Sequence, residues 1–137
     1  MAAGTLVDSN VLLDIFTEDT EWLEWSTGAL AAAAEAGPLY INPIVYAEVS
    51  VRFSRFEDLE DALPSGEFRR SSLPWAAAFL AGKAFMSYRR NRGSASAPLP
   101  EFFIGAHAAV DELALLTRDT RRYATYFPTV RLIAPAN

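Results

Sequence analysis

Apolar runs of three to six residues, too short for helices, recur along this chain and alternate with helical patterns. Thr5-Leu6-Val7 ends at Asp8, Leu39-Tyr40-Ile41 ends at Asn42, Leu113 to Thr117 runs up to Arg118, and Val130 to Ile133 closes the series. Phe68 to Leu73 reads either as one more short strand or as a connection. Apolar strands without polar alternation are covered on both faces, and strands interleaved with helices build parallel sheets. The expectation is an α/β fold, a three-layer α/β/α sandwich around a short parallel sheet. The 137 residues, 51% hydrophobic, suit one domain over 1–137 with its own core.

The helices between these runs carry their own signals. Ser9 and Asn10 open a pattern through Val11, Leu12, Leu13, Ile15 and Phe16. A second helix is predicted from about Asp19 to Ala36, where Gly37-Pro38 stops it. Asn42-Pro43 supplies an N-cap and a first helical residue, and the apolar stripe Val45, Val49, Phe53, Phe56 extends that helix. Pro74 starts an alanine-rich helix to about Arg92, and Gly93–Pro100 is a loop. Glu101 opens FFIGAHAAVDE, and Asp119 caps a brief helix.

Composition narrows the chemistry. With no cysteine and a single histidine, His107, the chain excludes disulfides, thiolate metal sites, thiol catalysis and a multi-histidine zinc site. Hydrolysis would have to rest on carboxylates, hydroxyls or a metal held by oxygen. The longest apolar stretch, Leu73 to Met86, is interrupted by Lys83 and falls short of the roughly 20 residues a membrane helix needs. The amino-terminal stretch has no basic region and carries Asp8 and Asp14, so a cytoplasmic protein is expected. Net charge is −5, unevenly spread: residues 1–61 hold twelve acids and two bases, residues 62–137 five acids and ten bases. Such a split can set a basic lip beside an acidic centre, so nucleic acid is not excluded.

Ligands of open α/β sheets bind beyond the carboxyl ends of the strands. Asp8 and Asp119 follow predicted strands, Glu48 lies in the second turn of the helix after another, and Glu101 begins the helix leading to Leu113. Each has an ordinary reading: caps for Asp8 and Asp119, a first-turn acid for Glu101, an i, i+4 ion pair with Arg52 for Glu48. Together they mean more. Two carboxylates about 5 Å apart repel by roughly 3 kcal/mol at an effective dielectric of 20. Four converging on one cleft would call for a compensating cation, and all-oxygen ligation points to Mg²⁺ or Mn²⁺.

LVDSNVLLDIF, INPIVYAEV, LPEFFIGAHA and LLTRDTRRYATYFPTVRLIAP resemble, in this order and over nearly the whole chain, the PIN-domain family, above all its VapC-type ribonuclease toxins. The resemblance implies a metal-dependent endoribonuclease in which Asp8, Glu48 and Asp119 match the family's acids, with Asn10 and Thr117 supporting them. Glu101 stands where the family usually has aspartate. Its extra methylene carries the carboxylate about a bond length further, at a site where Mg²⁺–oxygen distances are held near 2.0–2.1 Å. Pro98 and Pro100 would limit any backbone adjustment there. The resemblance also implies an RNA substrate, a small VapB-like antitoxin lying over the acids, and a homodimer. Glu101 motivates an alternative, a catalytically weakened module that binds RNA or antitoxin.

Other features are weighed against plainer roles. His107 falls six residues after Glu101, off any co-ligand spacing, and is expected to be structural. Gly82-Lys83 lacks the rest of a phosphate loop. Trp22 and Trp25 suit packing more than a partner surface. Arg69-Arg70, Arg89-Arg90-Arg92 and Arg118-Arg121-Arg122 are either solvated faces or an RNA-phosphate lip. A phosphoacceptor receiver domain shares the sheet type, but the chain lacks an acid pair after its first strand and a late lysine.

Overall fold

The computed structural model describes residues 4–91, 93–94 and 99–136, so Arg92 and Pro98 lie outside the described residues. Its five strands are β1 (Thr5–Val7), β2 (Leu39–Ile41), β3 (Phe68–Arg70), β4 (Ala114–Leu116) and β5 (Leu132–Ile133). All pair in parallel, in the order β3-β2-β1-β4-β5, with Thr5 opposite both Leu39 and Ala114. The stretch from Phe68 is therefore a strand, at the sheet edge.

Helices α1 (Ser9–Phe16) and α2 (Leu23–Ala36) link β1 to β2, and α3 (Pro43–Ser50) and α4 (Phe56–Ala62) link β2 to β3. The return past β1 runs through α5 (Trp75–Arg90) and α6 (Pro100–Val110), and α7 (Arg121–Tyr126) leads to β5. The chain steps one way from β1 to β3, then the other way from β4 to β5. With right-handed crossovers, that reversal puts the first helices on one face and the last three on the other. α1 accordingly packs on α2 and α3, and α5 on α6 and α7. This is the three-layer α/β/α sandwich, and its topological switch point lies between β1 and β4.

Leu6, Val7, Leu115 and Leu116 are completely buried, as strands covered on both faces must be. Ala77, Ala81 and Ala84 form the buried side of α5, against which α6 packs closely. Phe102 of α6 meets the rings of Tyr88, Tyr126 and Phe127 with centroids 5.4, 5.6 and 6.4 Å away. Gly105 is required by this packing, because a Cβ there would come within 2.4 Å of the Phe127 ring.

Two helices differ from the sequence reading. The helix from Asn42 stops at Ser50, and Phe56 begins a separate one. Val45, Val49 and Phe53 do face inward, Phe53 edge-on to Phe16 at 5.6 Å, but Phe56 is two-thirds exposed, so the apolar stripe breaks before it. The helix expected from Asp19 starts at Leu23. The Asp19 carboxylate takes the backbone N–H groups of Glu21 and Trp22, closing a turn ahead of the helix.

Candidate active site

Asp8 sits just past β1 at the switch point. It caps α1, with Oδ1 accepting from the Ser9 backbone N–H at 2.7 Å. Oδ2 accepts from the Thr117 hydroxyl at 2.8 Å, the Tyr123 hydroxyl at 2.9 Å and Asn10 Nδ2 at 3.4 Å. The side chain is almost entirely withdrawn from water. Burial dominates over these hydrogen bonds and, with the nearby Glu48 charge, pushes its pKa up to about 6. No arginine or lysine pairs with it among the described residues.

Glu48 is delivered by α3, whose start is fixed as the sequence implies: Asn42 Oδ1 accepts from the Val45 N–H at 2.9 Å, and Pro43 follows. It turns toward Asp8 rather than Arg52, accepting from Ser9 Oγ at 2.7 Å. Ser9 thus joins the two carboxylates. Asp119 is exposed at the end of β4 and linked to Asp8 through Thr117, whose Oγ1 accepts from the Asp119 backbone N–H at 3.1 Å. Its own Oδ1 accepts from the Arg121 N–H at 3.2 Å, closing a turn ahead of α7, whose cap position is held by Thr120 rather than by Asp119 as the sequence suggests. Asn10 braces the same loop, donating to Thr117 at 3.2 Å and accepting from the Arg118 N–H at 3.3 Å.

Glu101, in the first turn of α6, is paired instead with Arg122 of α7. It lines an open cavity of about 450 Å³ together with Asp119, Arg121, Arg122, Tyr88 and Tyr126. The Asp8, Glu101 and Glu48 charges all help to raise the Tyr123 hydroxyl pKa, after burial as the first cause, so the phenol stays protonated and donating. Among the described residues, no three acidic or histidine side chains close into a ready metal cage. The donors nevertheless suit a hard divalent cation. They are all oxygens, and the desolvated Asp8 anion has hydroxyl donors on it but no positive partner.

His107 is fully buried and remote in role. Its Nδ1 lies 2.9 Å from Asn42 Nδ2, and its Nε2 lies 3.0 Å from Asp111 Oδ2 and 3.2 Å from Ser71 Oγ. Because Asn42 Oδ1 is taken by Val45, its amide donates to Nδ1, and the ring proton belongs on Nε2 facing Asp111. Burial lowers the histidine pKa, opposed by Asp111, so a neutral ring ties α6 to the start of α3.

Trp22 and Trp25 meet edge-on at 6.3 Å, and Trp22 also lies under the Arg118 guanidinium at 5.4 Å. Arg118 forks onto the buried Asp14 of α1 at 2.8 and 2.9 Å, and Arg70 pairs with Glu60 at 3.0 Å. Several of the clustered arginines are therefore engaged within the chain. Ser9, Tyr123 and the Asp14–Arg118 pair were not evident as site elements from the sequence. The adjacency of Ser9 to Asp8 and the tyrosine behind Arg122 were the available signals.

The fold and this edge define a parallel α/β protein with an oxygen-rich acidic centre at its switch point. The chain belongs to the PIN-domain family, whose model matches residues 5–128. Among solved structures, it is similar to a chain of a toxin–antitoxin complex from Klebsiella pneumoniae, with 25% identity, a TM-score of 0.68, and coverage of 93% of this chain and 95% of that one. It is similar in fold to a chain of VapBC2 from Rickettsia felis bound to a promoter DNA fragment, with 14% identity, a TM-score of 0.71, and 95% and 97% covered. VapBC-1 from nontypeable Haemophilus influenzae gives 13% identity, a TM-score of 0.71, and 95% and 96% covered. No curated protein is close enough in sequence to count as a match. No helix among the described residues is long and apolar enough to cross a membrane.

Proposed function

We propose that this chain is a VapC-type toxin, an endoribonuclease dependent on Mg²⁺ or Mn²⁺ and silenced by a small VapB-like antitoxin. The observation that carries the reading is Asp8: a desolvated carboxylate at the switch point, joined to Glu48 by Ser9 and to Asp119 by Thr117, with no cationic side chain paired to it among the described residues. Asp8, Glu48 and Asp119 would hold the metal, with Glu101 as the fourth acid. The bound metal would supply an activated water and charge stabilisation at the leaving oxygen. Thr117 and Tyr123 hold Asp8 in place by donating to one of its oxygens, which leaves the other free of hydroxyls except Ser9 Oγ, 3.4 Å away. Arg121 and Arg122 flank the cavity beside the acids, where they suit the RNA backbone.

The neighbouring structures, which are toxin–antitoxin complexes, support an antitoxin partner. A second copy of the chain would use the outer face of α5, where Trp75, Phe79 and Met86 stay 92%, 69% and 50% exposed along one stripe. Lys83 lies beside that stripe, its ammonium 5.0 Å from the Phe79 ring centroid.

The test is cleavage of RNA by the purified chain. Activity should need Mg²⁺ or Mn²⁺, and Asp8→Asn or Asp119→Asn should remove most of it, since each deletes an anionic ligand. Cleavage that persists in excess chelator would overturn the metal reading. The Arg122–Glu101 pair favours one second reading, a weakened module that binds RNA or antitoxin without cutting. Metal-dependent turnover of RNA excludes it.

A further inference from the structure

We infer that Arg122 is an internal counter-ion competing with the divalent cation for Glu101; this rests on the metal-centre reading above. α7 presents two consecutive side chains to two different acids. Tyr123 donates to Asp8 at 2.9 Å, while Arg122 pairs with Glu101. The difference in partner matters. A neutral phenol leaves the Asp8 charge intact for a metal, whereas a guanidinium cancels the charge of Glu101.

Arg122 is not loosely placed. Its guanidinium lies 5.0 Å from the Tyr88 ring centroid and 5.9 Å from that of Phe102, the residue after Glu101. Aromatic faces of this kind hold a flat cation in register with its carboxylate. Yet both partners remain about one-third exposed, Arg122 at 34% and Glu101 at 31%, and they border the cavity of about 450 Å³ shared with Asp119. The pair can open without disturbing the core, and the released guanidinium would face the cavity beside the acids, where a substrate phosphate would lie. Glu101 therefore has two states: neutralised by Arg122, or available as a ligand.

Mn²⁺ binding to the purified chain, read by electron paramagnetic resonance of the free ion, tests this without turnover. Arg122→Gln should tighten Mn²⁺ about two- to fivefold, the size of a partly exposed ion pair released. Arg122→Lys, which keeps the charge, should stay near the parent. Arg131→Gln removes the same charge at the amino end of β5, away from the acids, and should change affinity by less than twofold. Glu101→Gln should matter little in the parent but cancel the gain in the Arg122→Gln background. Unchanged or weaker binding in Arg122→Gln, or a gain that survives Glu101→Gln, overturns the competition while leaving the metal centre standing. If the parent and every variant fail to bind Mn²⁺, the metal reading itself fails, and the competition with it.

Discussion

Arg118→Met should be the most damaging single change outside the core, although Arg118 is one-third exposed. Asp14 lies on α1 with 2% of its side chain accessible and accepts three hydrogen bonds: Ser26 Oγ at 2.7 Å, and Arg118 Nε and Nη2 at 2.8 and 2.9 Å. Methionine fills much of the same volume but leaves a buried carboxylate with one hydroxyl donor and no cation. Stranding one partner of a buried pair costs about 3–5 kcal/mol, and water reaching in beside the old guanidinium position favours the low end, about 3 kcal/mol. The contact with Trp22 contributes about 0.5–1 kcal/mol more. At roughly 2.1 cal/mol/K of unfolding entropy per residue, a loss of about 3 kcal/mol lowers the melting temperature of a chain this size by about 10 °C. The assay is urea unfolding by circular dichroism, with calorimetry alongside. Adding Asp14→Asn to Arg118→Met removes the stranded charge while keeping an acceptor for Ser26, so it should recover about 2 kcal/mol. An Arg118→Met variant within about 0.5 kcal/mol of the parent, the range of ordinary surface changes, would refute the reasoning. So would a double variant no more stable than the single.

The other expectations are shorter. Asp8 is raised from 3.8 to about 6 on folding, so its contribution favours the folded state below pH 3.8 and is lost as pH rises through about 6. In chelator, the parent should therefore lose about 2 kcal/mol relative to Asp8→Asn between pH 4 and pH 7, measured as the difference between two urea titrations. His107 acts in the opposite sense below its unfolded value of 6.5, but it is present in both proteins and drops out of the difference. Gly105→Ala would drive a methyl into the Phe127 ring and should cost about 1–3 kcal/mol in thermal stability, whereas Gly82→Ala, with open space around it, should not destabilise. Trp75→Asp on α5 should halve the mass seen by light scattering without altering the circular dichroism spectrum, and an unchanged mass removes α5 as the dimer face.

Much of the fold is legible in the sequence because its local signals agree. Asn42-Pro43 caps and starts α3 as those residue types require, and Gly37-Pro38 ends α2. Strands as short as Leu39–Ile41 show themselves by what interrupts them, since three residues are too few for a period. Phe56 misled because a stripe spaced four, four and three residues apart is compatible with one continuous helix. Only the packing of Phe53 on Phe16 shows that the inward face is complete before Phe56.

The candidate site was legible in a narrower sense. An acid just past an apolar strand is conspicuous wherever it falls, so Asp8 and Asp119 could be singled out, and Glu48 followed from the helix that Asn42 starts. Which groups those acids face is a matter of tertiary geometry. Ser9 reads as a helix opener, yet its hydroxyl joins Glu48 to Asp8 at 2.7 Å from the former and 3.4 Å from the latter. Arg118 and Arg122 belong to one basic run, and spacing cannot say that one is spent on a buried aspartate and the other on Glu101. That division bears on function. A basic lip counted from the sequence overstates the charge that would be free to meet an RNA, because Arg118 is paired with Asp14 and Arg122 with Glu101. Arg118 and Arg122 are each held by an acid of this chain, Asp14 and Glu101, whereas Arg121 lines the cavity beside Asp119 without an ion pair among the described residues, so it is the first of the three that a phosphate would meet.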